Sequence, residues 1–74
     1  MTYYAFTPDS APFITEYIDE LNKYSRNPNA VACVHYKGQK DREDWYKGSY
    51  TGWRLIHKNE EIPKQYLAQF LLLS

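Results

Sequence analysis

Apolar and polar positions follow one another regularly enough to divide the chain into elements. Thr2 to Phe6 is rich in aromatic residues and runs into Thr7-Pro8-Asp9-Ser10, a cluster of turn formers, which predicts a short first strand. Beyond it Phe13, Ile14, Tyr17, Ile18, Leu21 and Tyr24 recur at helical spacing, while Glu16, Asp19, Glu20 and Lys23 take the opposite side. That spacing predicts an amphipathic helix over about 10–26. Asp9 or Ser10 would cap it, Pro12 would sit in the first turn where its missing N–H costs little, and Arg26 would lie at the negative end of the dipole. Asn27-Pro28 would stop it, because the residue before a proline is pushed out of the α region.

Ala30 to Tyr36 is short, partly β-branched and apolar on both alternating faces, which predicts a central strand with cover on each side. Gln39 to Asp44 has little to bury and reads as an exposed loop. From Asp44 to His57 aromatic and β-branched residues return, with Gly48-Ser49 or Thr51-Gly52 available for a turn; one or two strands are expected, most clearly Trp53 to His57. Asn59-Glu60-Glu61-Ile62-Pro63 resembles the first turn of a helix, and Ile62, Tyr66, Leu67, Phe70 and Leu71 then share a face. This predicts a C-terminal helix over about 62–73, with a strand from Tyr66 to Leu73 as the competing reading. The element order implies one α+β domain spanning 1–74, a short antiparallel or mixed sheet of three to four strands with both helices packed on one side.

Length and composition narrow the function classes. Seventy-four residues provide a single core, worth roughly 3–5 kcal/mol, and chains of this size without a staple often gain stability by associating. The apolar segment Phe70–Leu73 suits a homodimer contact, since three consecutive leucines cannot all face one side of a helix. The lone Cys33 closes no internal disulfide, and with two distant histidines it matches no zinc spacing, so no metal or cofactor is expected. The first residues lack a basic start and a long apolar run, which predicts a cytoplasmic protein, and no apolar stretch approaches the roughly 20 residues that span a bilayer. Nine basic and nine acidic side chains cancel, so no net field steers the chain toward polyanions and no acidic excess mimics DNA.

Candidate chemistry is sparse. Cys33 and His35 would point to the same side of a strand and could form a nucleophile–base pair, but nothing supplies an orienting third group or an oxyanion turn. A small buried thiol beside an imidazole is the plainer reading. Glu16, Asp19 and Glu20 fit a solvated helix face, and the three glycines form no phosphate-binding fingerprint.

Aromatic content is the unusual quantity: eight tyrosines, three phenylalanines and two tryptophans, more than a core this small can hold. Between Tyr36 and Lys58 they alternate with Lys37, Lys40, Arg42, Lys47 and Arg54. Basic residues beside stacking rings suit single-stranded nucleic acid, although Asp41, Glu43 and Asp44 cancel part of the field. The same region carries the residue types of protein contact hot spots, and Tyr36, Arg42, Trp45, Tyr46, Tyr50 and Arg54 are the expected anchors. Trp53 is expected in the core, and Trp45 suits core and surface equally. By elimination the expected function is non-enzymatic protein binding, with single-stranded nucleic-acid binding as the alternative. The partner is expected to be another protein or protein complex. Small size and lack of motifs suggest, by analogy, an inhibitor or adaptor of the phage or mobile-element type that occludes a host defence complex or enzyme.

Overall fold

The structure, a computed structural model, describes residues 1–58 and 60–74. Thr2–Thr7 forms β1 as expected, but the turn at Pro8-Asp9 leads into a second strand, β2, Ser10–Thr15. The two make an antiparallel hairpin in the register Tyr3 with Thr15, Tyr4 with Ile14 and Ala5 with Phe13, closed by the Thr7 and Ser10 hydroxyls 2.6 Å apart. The expected helix over about 10–26 is therefore corrected. Only Ile18–Leu21 (α1) is α-helical, followed by a 3₁₀ turn at Asn22–Tyr24.

The physical reason is local as well as tertiary. Thr15 is buried, and its hydroxyl accepts the Tyr17 N–H at 3.1 Å while donating to Glu20, which ends the strand and turns the chain into α1. Pro12 sits on an edge strand, where proline is tolerated.

The remaining elements are β3, Val31–His35; β4, Glu43–Lys47; β5, Arg54–Ile56; and α2, Lys64–Leu73. β3 is central, as its sequence predicts. β4 begins at Glu43, inside the segment expected to be loop, because Glu43 and Asp44 pair with His35 and Val34. The helical reading of the last segment prevails over the strand. Asn59, placed by the sequence at the entry to that helix, lies outside the described residues. The sheet has five strands rather than three to four, in the order β2-β1-β3-β4-β5, with every pairing antiparallel.

Strand alternation sorts the side chains onto two faces. On one, Tyr4, Phe6, Val31, Cys33, Trp45 and Ile56 meet Ile62, Tyr66 and Phe70. Phe6 stacks between Trp45 (5.8 Å between centroids) and Tyr66 (5.5 Å), and Phe70 turns its edge to Tyr4 and Trp45. On the other face Ala5, Ala32 and Leu21 form a smaller core with Tyr3, Phe13, Tyr24, Val34, Tyr46 and Trp53 packed around it. The helices thus cover opposite faces, not one side. The two alanines leave room for α1, which is short and covers only part of its face.

Candidate functional site

The uncovered part of the second face is where the expected anchors partly converge. Val34 and Tyr36 on one chain segment face Asp44 and Arg42 on the other, with the hairpin between them closed by the Tyr36 N–H donating to the Arg42 carbonyl at 3.2 Å. The Tyr36 hydroxyl donates to Asp44 Oδ2 at 2.6 Å, and the Arg42 guanidinium lies 4.3 Å from the Tyr36 ring centroid. Acceptance of that hydroxyl by the Asp44 carboxylate holds the Tyr36 phenol above its ordinary range. Tyr46 follows two residues along β4 on the same face, paired across β5 with Leu55, which is 62 % exposed.

The other expected anchors are placed differently. Trp45, expected among the contact residues, is 2 % exposed in the core beneath α2, and its buried indole N–H has no hydrogen-bond partner among the described residues. Its position in β4 is one step out of phase with Asp44 and Tyr46, so it faces α2 and cannot contact a partner at the open face. Trp53, expected in the core, is half-buried at the rim and donates to Asn22 Oδ1 at 3.1 Å. Of the two readings held for Trp45 the core one is observed, and Trp53 packs against the edge of the second core without being fully buried. Arg54 is exposed but alternates with Leu55, so it belongs to the α2 side of the sheet. Tyr50 is 93 % exposed at the tip of a turn closed by the Gly52 N–H to the Ser49 carbonyl and by the Ser49 hydroxyl to the Gly52 carbonyl at 2.6 Å. Gly52 adopts φ +108°, a conformation that favours glycine.

Tyr3, Val34 and Leu55 were not expected at a contact surface, and Asp44 entered only as a charge that cancels part of the basic field. The alternation of β3 and β4 carries the signal for Val34 and Asp44, but it does not say which face stays open.

Cys33 and His35 do share a face, under α2. The thiol is fully buried, and burial pushes its ionisation well above the ordinary range, with Glu43 adding to the effect. It is therefore no accessible thiolate. His35 instead bonds the Lys40 carbonyl through Nε2 at 3.1 Å and lines a groove of about 180 Å3 with Glu43, Lys58 and Phe70. Glu43, its side chain 4 % exposed, pairs there with Lys58. Among the described residues no three potential ligands converge on a metal position, and no helix is long and apolar enough to cross a membrane. Of the segment expected to mediate dimerisation, Phe70 is buried in the core, whereas Leu71, Leu72 and Leu73 are exposed. Comparison with protein-family models, curated proteins and solved structures finds no match.

Proposed function

We propose that this chain is a non-enzymatic protein-binding domain whose contact surface is the open part of the second sheet face, with the Tyr50 turn as a separate exposed aromatic contact. The observation that carries the reading is the grouping of Tyr36, Arg42, Tyr46, Val34 and Leu55 on the sheet face opposite α2, at and beside strands that the short α1 covers only in part. Tyrosine and arginine supply the anchoring residue types, and the hydrogen bond of Tyr36 to Asp44 and the packing of Tyr46 limit the entropy those two rings lose on binding. Asp44 sits among these rings with a carboxylate that repels phosphates, and this favours a protein over nucleic acid.

A standard interface takes about 800 Å2 from each partner, or about 15 % of the 5252 Å2 surface of this chain. A contact of that size on so small a chain suits an inhibitor or adaptor that acts by occlusion. The mobile-element antagonist is the sharpest form of that proposal and rests on the analogy from small size and lack of motifs. A cytoplasmic setting suits the free, buried Cys33. A second copy docking on Leu71–Leu73 is compatible with this function but is not required by it.

The test is affinity capture from the native lysate with the wild-type chain, Leu55→Asp, and Leu72→Asp on the outer side of α2 as a comparator. Circular dichroism melts would verify that each is folded. A discrete protein retained through nuclease and high salt, lost with Leu55→Asp and kept with Leu72→Asp, supports the reading. Retention of nucleic acid that salt removes, or capture indifferent to Leu55, overturns it.

A further inference from the structure

We propose that Asp44, with the rings of Tyr36 and Tyr46 beside it, is the seat for an arginine side chain of the protein partner, an inference that rests on the reading of this face as a protein-binding surface. Asp44 projects from β4 opposite Val34, between Arg42 and Tyr46 on the same side of the strand. Its carboxylate is half-buried and accepts one hydrogen bond, from the neutral Tyr36 hydroxyl to Oδ2. Among the described residues it belongs to no ion pair; the ion pair present joins Lys58 to Glu43 across the opposite face. A carboxylate beside an aromatic ring and outside any ion pair among the described residues attracts a cation, because the face of the ring and the carboxylate present the same sign of potential.

The chain supplies its own example of the contact. Arg42 lays its guanidinium over Tyr36 yet makes no ion pair with Asp44, so one ring face holds a guanidinium while the carboxylate stays free. Val34 and Tyr3 give an apolar floor on which the methylene stem of an incoming arginine can lie. A planar guanidinium suits a carboxylate beside rings better than an ammonium, since it stacks on an aromatic face and bonds carboxylate oxygens in a fixed fork.

The experiment is an NMR titration of the labelled chain with a blocked pentapeptide carrying one central arginine among glycines, and with the citrulline analogue, which keeps the shape and loses the charge. The expected result is saturable shifts centred on Asp44, Tyr36 and Tyr46, with binding about tenfold weaker for citrulline and a similar loss in Asp44→Asn. The asparagine keeps an oxygen for Tyr36, so the fold is retained, and Tyr46→Leu gives a second variant that removes the ring and keeps apolar bulk. Absence of saturable shifts, equal binding of citrulline, or unchanged binding by Asp44→Asn overturns the proposal. If the peptide fails while partner capture still depends on Leu55, the arginine seat falls and the protein-binding face stands.

Discussion

Gly48 is the position where one added carbon should do the most damage. It follows β4, is buried, and donates its N–H to the Ala30 carbonyl at 3.0 Å. A Cβ built there would lie 2.8 Å from the Asn27 carbonyl carbon and 3.1 Å from the Tyr24 carbonyl oxygen, and closer still to the Asn27 oxygen. All three are backbone atoms, so no side chain can rotate away. Residues 24–27 would have to retreat, although Ser49 N–H to the Ser25 carbonyl (3.0 Å) and Lys47 to the Pro28 carbonyl tie the same segment to the end of β4. Overpacking of this kind costs about 1–3 kcal/mol, and losing the Ser49–Ser25 bond adds about 1 kcal/mol. Alanine returns up to about 1 kcal/mol through its smaller unfolded-state entropy. The net loss, about 1–4 kcal/mol and centred near 2–3 kcal/mol, lowers Tm by on the order of 10–20 °C in a domain of this size. Thermal melts and urea titrations of Gly48→Ala would measure it, with Gly38→Ala as the comparator. Gly38 has φ +78° and open space around its Cβ direction, so its substitution costs about 1–2 kcal/mol from backbone conformation alone. A Gly48→Ala chain melting within about 3 °C of wild type, or more stable than Gly38→Ala, would refute the close approach.

Two further predictions concern the buried groups on the α2 side. Because folding raises the ionisation of Cys33, and of Tyr4 in the same core, the folded state holds protons that the unfolded chain releases. The associated stability is complete below the ordinary thiol range and lost as pH rises above about 8.5, reaching about 2 kcal/mol from Cys33 near pH 10. Urea midpoints should therefore fall between neutral and alkaline pH, and fall less in Cys33→Ala; equal falls in both chains would contradict the assignment. Lys58→Met should strand the Glu43 carboxylate, whose side chain is 4 % exposed, and cost about 1–3 kcal/mol, reduced from the fully buried case because Lys58 reaches solvent. Adding Glu43→Gln should recover most of the loss in the same urea assay, and failure to recover would show that the lysine acts through packing rather than charge.

Some of this protein was legible along the chain because the signal was local and unopposed. The apolar run Val31–His35 had no helical reading to compete with it; Tyr66 and Phe70, spaced by four, share a face in helix and strand alike, and it was the fuller set Ile62, Tyr66, Leu67, Phe70 and Leu71 that favoured the helix. Equal numbers of acidic and basic residues and the surplus of tyrosine likewise needed no structure to be seen. Residues 10–26 were different, since Phe13 to Tyr24 fits a helical period and Ser10–Thr15 also fits a strand. The choice was made by β1, which offered an unpaired edge two residues upstream, a partner that no local window contains. The candidate site depended on the same kind of non-local fact. Alternation along β4 separates Trp45 from Asp44 and Tyr46, but which set is buried was decided by α2 packing on one face while the short α1 left part of the other bare. Periodicity assigns residues to faces; only the packing of distant elements decides which face meets water.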